Sequence, residues 1–339
     1  MASILKIGTS WRAQVRRKGH KNITETFPTK AAAQQWATAI EADIDSKRYQ
    51  DGRGLKSYKL GALIDRYNKE VGATKKFGKN KLAVLKMLKN RIGDKNLSEI
   101  TDDSLMEHIE GRLAEGAGGV TIAIELAYLG GLFKTAKQLW KMPVSLVPII
   151  SARANMGHLG ISLKSKERTR RPTQKEIDDL CAYFDTHSAL PMRDLIQFAA
   201  ATAMRLGEIV GLRWEDLNKD DRTIIIKDRK HPTEKIGNDQ EVPLLGSSFD
   251  IVMRQLRNGE RIFPIIGDSV SSIFPRACKQ LGIVNLRFHD LRHEGVSRLF
   301  EQGYQIEQVA LVSGHRDWKM LQRYTQIRAK DLHRKIQPA

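Results

Sequence analysis

The last third of the chain carries basic and hydroxyl groups at spacings that suit chemistry on an oxyanion. Arg205 stands in Thr202-Ala203-Met204-Arg205-Leu206-Gly207-Glu208, directly after an apolar, small-residue run at 195–203. A cation emerging from a buried helix end needs a partner, and Glu208, three residues on, can meet it on the same helix face. Many such pairs only hold a fold together; the other use is to orient a guanidinium that clamps a phosphate. His289 and Arg292, in His-Asp-Leu-Arg, repeat the three-residue spacing. A histidine and an arginine on one face, with no carboxylate dyad nearby, again fit a phosphate. His315 follows a helix end stopped by Gly314, and Tyr324 comes nine residues later. Most tyrosines pack through the ring and bond through the hydroxyl. A phenol with a pKa near ~10 attacks at neutral pH only where cations activate it.

Other chemistries find little support. The chain has no P-loop, no Gly-rich dinucleotide fingerprint and no cluster of metal ligands at useful spacing, so neither cofactor nor metal is expected. Lys and Arg number 57 against 39 acidic residues, a net charge of +18. A surplus of that size favours a polyanionic partner bound in a salt-dependent way. The two cysteines, Cys181 and Cys278, make neither a disulfide framework nor a zinc cluster; Cys181 falls in the helical apolar pattern of Ile177, Leu180 and Phe184 and reads as core. The N-terminal residues lack a long apolar segment, and the apolar run at 144–150 is short and holds Pro148. The expectation is a soluble, reduced, cytoplasmic protein.

The elements that must position these groups are mostly helical, with small β-structures: a mainly α, α+β fold. Trp11, Ala13 and Val15 alternate with Arg12, Gln14 and Arg16, a half-buried strand, and residues 23–27 can return as its partner. Thr29 caps a helix to about residue 49 with Ala33, Trp36, Ala37 and Ile40 on one face. Asp51-Gly52-Arg53-Gly54 is a linker signal. From 57 to 160 the pattern is helical: Leu82, Leu85, Leu88 and Ile92 keep helical spacing, Thr101 opens a helix that Gly116 closes, and 120–140 forms another. Lys75, Lys76, Lys79, Lys81, Lys86 and Lys89 crowd one region and read as a phosphate-contacting face. Residues 164–171 form a basic linker; Thr173 and Glu176 make a capping box; residues 223–227 pair with 241–244 as a hairpin. The domain expectation is 1–54, 55–163 and 164–339, the last with a C-terminal tail.

Arg205, a hairpin lysine, His289-x-x-Arg292, Gly314-His315 and Tyr324, in that order, resemble the tyrosine recombinase (phage integrase) family. The segments TAMRLGEIVGLRWEDL, FHDLRHEGVSRL and LVSGHRDWKMLQRYTQ are similar to that family's boxes. The resemblance is strong over about 165–328, weaker over the helical middle, which resembles the family's core-site-binding domain, and weakest over the first 50 residues, which resemble arm-site-binding domains. Ala203 stands where many members have glycine, and Ser313 where many have leucine; both exchanges are uncharged.

The resemblance implies a site-specific DNA recombinase that cuts and rejoins DNA through a 3′-phosphotyrosine, for integration and excision of a phage or mobile element. In that reading Arg205 and Arg292 bind the scissile phosphate, Glu208 supports Arg205, His289 and His315 position the phosphate and assist proton transfer, and Tyr324 attacks. A hairpin lysine protonates the leaving 5′-oxygen. Lys227, Lys230 and Lys235 all lie in or near the hairpin; the family places this lysine where the first strand ends, which selects Lys230, with Lys235 as the alternative. The resemblance also implies double-stranded DNA attachment sites, a homotetramer on DNA, accessory DNA-bending and excisionase proteins, and work at the nucleoid of a bacterial host. A type IB topoisomerase shares the chemistry. A non-catalytic regulator, reading 306–324 as a helix-turn-helix, would have no reason to gather Arg205, His289, Arg292 and Tyr324.

Overall fold

The strand pattern at residues 11–15 proves to be the middle of a three-stranded antiparallel sheet. The computed structural model describes residues 2–20, 22–46, 53–165, 167–230 and 237–324. In it β1 (Ala2–Ile7), β2 (Ser10–Val15) and β3 (Ile23–Phe27) pair in that order. β1 adds a strand to the expected hairpin. Only its Ala2 and Ile4 reach the small core, while Leu5 and Ile7 stay exposed, so its alternation is faint in the sequence. The Thr29 hydroxyl accepts from the Ala32 amide at 3.2 Å and starts α1 (Lys30–Asp45). α1 buries Ala33 and Ala37 with Ala13 and Val15 of the sheet. The rest of the expected helix, at 47–49, and part of the linker, at 51 and 52, lie outside the described residues.

Five helices follow: α2 (Leu60–Thr74), α3 (Lys79–Ile92), α4 (Asp102–Ala114), α5 (Gly119–Gln138) and α6 (Val147–His158). Leu85 and Leu88 of α3 meet Ile122, Leu126 and Leu129 of α5 in one apolar core, whereas Leu82 points outward. Thr101 caps α4 through the Ser104 amide at 3.3 Å. The lysine-rich stretch is partly engaged with the protein itself. Lys81 lies 3.6 Å from the centroid of the Phe77 ring and donates to the Tyr67 hydroxyl at 2.9 Å, and Lys89 pairs with Asp65 at 2.7 Å. Lys75, Lys76 and Lys86 are exposed.

Tertiary contacts divide the chain into residues 1–166 and residues 167–339. The second unit opens on the capping box: the Thr173 hydroxyl accepts from the Glu176 amide at 3.2 Å, and the Glu176 carboxylate accepts from the Thr173 amide at 2.8 Å. From there run α7 (Gln174–His187), α8 (Met192–Thr202), the short α9 (Leu206–Ile209), β4 (Leu217–Asn218), β5 (Thr223–Ile226), β6 (Gln240–Pro243), α10 (Ser248–Met253), α11 (Gly267–Gln280), α12 (His289–Glu301) and α13 (Ile306–Ser313). β4, β5 and β6 form an antiparallel sheet, so the expected hairpin carries a third strand. Ile196, Phe198 and Ala199 of α8 are fully buried at the centre of the unit's core, and Cys181 packs there as well.

The C-terminal half of the basic linker is held by carboxylates of the second unit. Arg168 grips the buried Asp290 through two bonds of 2.6 Å, Arg171 reaches Glu294 at 2.9 Å, and Arg170 pairs with Glu176. Their charge is spent on carboxylates, most firmly at Arg168, whose contact with Asp290 is bidentate. The helix-turn-helix alternative fails: after α13 the chain makes two short 3-10 turns, Trp318–Met320 and Gln322–Tyr324, and no second α-helix follows within 306–324.

Candidate active site

The site is built around the place where α8 stops. Ala203 takes a left-handed conformation (φ 54°), a turn that glycine enters most easily and that sends Arg205 out as the cap of α9. That turn exposes the Ala203 carbonyl, which accepts from Arg292 Nη1 at 2.6 Å. α12 approaches the turn closely because Gly295 offers no side chain; a Cβ there would lie 2.8 Å from the Ala200 carbonyl oxygen. Glu208 secures Arg205 twice. One carboxylate oxygen accepts from the Arg205 guanidinium at 2.5 Å, the other from its backbone amide at 3.0 Å. The Arg205 side chain remains about a quarter exposed, open to a ligand.

Glu208 faces a second guanidinium that sequence reasoning missed. Arg229 is 2% exposed, with Nε 3.6 Å from the Glu208 carboxylate. Burial by itself would raise the Glu208 carboxyl, but Arg229 and Arg205 outweigh it and hold the group below the usual carboxylate range. Nothing in the local pattern marked Arg229, because an arginine in Asp228-Arg229-Lys230, where a hairpin opens, reads as solvated.

Arg292 is 4% exposed. Burial first, and then the neighbouring Arg205 charge, pull its guanidinium down to about 9, so it stays a cation at neutral pH. Its Nη2 lies 3.3 Å from His315 Nε2. The other His315 nitrogen meets the Ser313 hydroxyl at 2.7 Å, and that hydroxyl donates to the Val309 carbonyl at 2.5 Å. With the only hydroxyl proton committed, the Ser313 oxygen must accept, so His315 carries its proton on Nδ1 and turns the Nε2 lone pair toward Arg292. The uncharged exchange at Ser313 therefore reaches a candidate site residue directly. Burial, reinforced by Arg292 and Arg205, lowers His315 to about 3.

His289 opens α12 at the exposed edge of the site, its ring edge-on to that of His293, centroids 5.1 Å apart. Desolvation against the site and the Arg292 charge both lower its pKa. His293 is a second residue missed, although its four-residue spacing from His289 put it on the same helical face. Its Nδ1 is hydrogen-bonded to the Tyr324 hydroxyl, with the two rings 5.7 Å apart. Burial drives His293 to about 4, so it is a neutral acceptor and the phenol is the donor. Burial raises the Tyr324 phenol, and Arg323 and Arg292 draw it back.

Lys230 is exposed and lines an open cleft together with Arg205, Glu208 and Arg229. Lys235 lies outside the described residues. Lys227 is occupied elsewhere, 2.8 Å from Asp216 and 3.0 Å from Glu215. The fold thus gathers Arg205, Glu208, Arg292 and His315 into one connected set, with His289 and Tyr324 joined through His293 on the same face of α12.

Residues 170–331 match the family model described as "Phage integrase family", and residues 57–146 match "Phage integrase, N-terminal domain". The chain is 32% identical over 298 residues to the shufflon-specific DNA recombinase of Escherichia coli, an alignment covering 83% of this chain and 72% of that one. The chain belongs to the phage integrase family. It is a site-specific tyrosine recombinase, an enzyme that breaks and rejoins DNA. Solved integrases share its fold. A lambda integrase tetramer bound to a Holliday junction superposes with a TM-score of 0.61 at 19% identity, covering 93% of this chain and 95% of that one. The Tn1549 transposon integrase in complex with transposon right end DNA gives 0.62 at 16% identity, covering 80% of this chain and 96% of that one.

Proposed function

We propose that this phage integrase family member cleaves DNA with Tyr324 as nucleophile and Arg205 and Arg292 as the clamp on the scissile phosphate. The observation that carries the reading is the meeting of Tyr324 with α12. The hydroxyl rests on His293, one residue from the buried Arg292, whose guanidinium stands beside His315. Two guanidinium groups within one site neutralise the charge that builds on the non-bridging oxygens as the phosphorus is attacked. The Tyr324 oxygen forms the new bond to phosphorus and the bond to the 5′-oxygen breaks. Lys230 supplies the proton to that leaving oxygen, and the phenolic proton passes to the imidazole groups beside it, His293 being the nearest acceptor. His289 and His315 hold the phosphate. The ester stored on Tyr324 is resolved by the 5′-hydroxyl of a second strand, so bond energy is conserved and no nucleotide or metal takes part.

The same reading assigns the chain to attachment sites of a phage or related mobile element, acting as a tetramer with DNA-bending and directionality proteins, and at the nucleoid of a bacterial host. Among the described residues no helix is long and apolar enough to cross a membrane. The sheet and α1 of residues 1–54, with Arg12 on β2 and Arg16 just after it, serve as an arm-type DNA-binding domain; residues 55–163 hold the core site, and 164–339 catalyse.

Covalent trapping tests the proposal. Nicked DNA from the region flanking the gene is incubated with the protein without metal or nucleotide, then separated under denaturing conditions and mapped by peptide mass. An adduct on Tyr324, absent in Tyr324→Phe while DNA affinity is kept, is expected. An adduct on another residue, or none even with host extract added, would remove Tyr324 from the reaction.

A further inference from the structure

We infer that Arg229 is a positioning residue for the cleavage reaction, setting the place of Lys230 by tying the lysine-bearing end of the hairpin to Glu208 and to α13, the helix that ends just before His315. The inference rests on the reading of Lys230 as proton donor. Arg229 sends its guanidinium inward while the next residue, Lys230, stays at the surface. Nη1 donates to the Leu311 carbonyl at 3.1 Å and to Gln240 Oε1 at 2.8 Å, and Nη2 donates to the Val312 carbonyl at 2.7 Å. Nε, with no hydrogen-bond acceptor in reach, faces Glu208 at 3.6 Å. One side chain therefore touches α13, β6 and the Arg205 partner at once.

The backbone of Arg229 is held as firmly. Its amide donates to the Asn238 carbonyl at 2.8 Å, and its own carbonyl accepts from Asn238 Nδ2 at 2.6 Å. The atoms immediately before Lys230 are thus fixed at both ends, leaving that lysine's position to follow from Arg229. Room for the guanidinium is made by Gly314, whose Cβ, if present, would stand 2.5 Å from Arg229 Cζ. A plug for the same space could be Leu or Met at lower cost, since burying a charge is expensive and an ion pair seldom repays it. Fixed geometry is what a forked donor adds over an apolar plug.

The test compares ordinary nicked DNA with the same DNA carrying a 5′-bridging phosphorothiolate at the cleaved position, whose leaving group needs no proton. Arg229→Met, Asn238→Ala and Lys230→Ala are run on both, with melting curves recorded. If Arg229 acts through Lys230, Arg229→Met loses about 10²-fold on the phosphate and Asn238→Ala about tenfold. Both recover to within about threefold of the unaltered protein on the phosphorothiolate, in parallel with Lys230→Ala. Recovery of Lys230→Ala without recovery of Arg229→Met and Asn238→Ala overturns the inference and leaves the lysine assignment standing. Failure of Lys230→Ala to recover removes both. Should Arg229→Met not fold, Asn238→Ala decides: full activity on the phosphate overturns the inference.

Discussion

Replacing Gly314 with alanine measures how rigidly the Arg229 guanidinium is held. Gly314 ends α13 with φ 70°, a left-handed conformation that costs a residue with a Cβ about 1–2 kcal/mol. The new Cβ would also lie 2.5 Å from Arg229 Cζ and Nε, where ordinary contact begins near 3.4 Å. That guanidinium is not a loose tip; three acceptors and the Glu208 charge fix it. Making room means giving up at least one hydrogen bond from a buried charged donor, about 1.5–3 kcal/mol more. The sum is about 2.5–5 kcal/mol, a melting-temperature loss of roughly 5–20 °C for a unit of this size. Gly282 supplies the control. It has nearly the same φ, 69°, yet nothing lies within 4 Å of its Cβ position, so Gly282→Ala should show the backbone cost alone, roughly 2–8 °C. Thermal unfolding of both variants, followed by circular dichroism, decides the matter. Gly314→Ala should lose about 1.7 times or more what Gly282→Ala loses; equal losses would mean that Arg229 is not pinned beneath Gly314.

Further tests address the rest of the site. Arg292→Ala should slow cleavage of a nicked substrate by on the order of 10²–10³, comparable with removing one oxyanion donor, and a near-normal single-turnover rate would exclude it from the site. Ser313→Ala removes the acceptor that fixes the His315 tautomer and should cost up to about tenfold in cleavage while the melting temperature changes little; an unchanged rate would show that His315 is oriented by Arg292 alone. His293 and His315 sit at about 4 and about 3 when folded, below the ordinary value near ~6.5. Their stabilising contribution is therefore complete above pH ~6.5 and falls as the pH drops toward those folded values. Between pH 7 and pH 5 each should remove on the order of 1–2 kcal/mol of stability. His315→Gln should flatten that dependence in denaturant titrations at the two pH values, and an unaltered slope would contradict the assignment.

How much of this was legible in the sequence depended on distance along the chain. The helix starts at Thr29, Thr101 and Thr173 could be read directly, because a cap and the amide it serves lie three residues apart. The same holds for Arg205 with Glu208 and for His289 with Arg292, whose three-residue spacing fixes a shared helical face whatever the rest of the fold does. The apolar rhythm of α3, α5 and α8 likewise announced the core, and the order of the boxes announced the family. β1 escaped because only two of its residues are covered, so burial never imposed the alternation that marks a strand.

The remaining features were decided by tertiary structure alone. Arg229 finds its acceptors 82 and 83 residues away, Arg292 finds Ala203 at a separation of 89, and His293 meets Tyr324 at 31. No spacing rule reaches across such intervals. An arginine next to a turn, a histidine after Arg292 and a serine before Gly314 each have an ordinary solvated or packed reading until the chain closes over them. The basic linker makes the same point: nothing near Arg168 and Arg171 names their partners, because Asp290 and Glu294 lie 122 and 123 residues on. Sequence by itself determined which groups were available for phosphate chemistry, because residue type and helical period are local properties. Which of them share one site, which proton each histidine holds and which charges are already spent follow from the closing of α12 and α13 over the end of α8, since desolvation and hydrogen-bond geometry exist only once those segments meet.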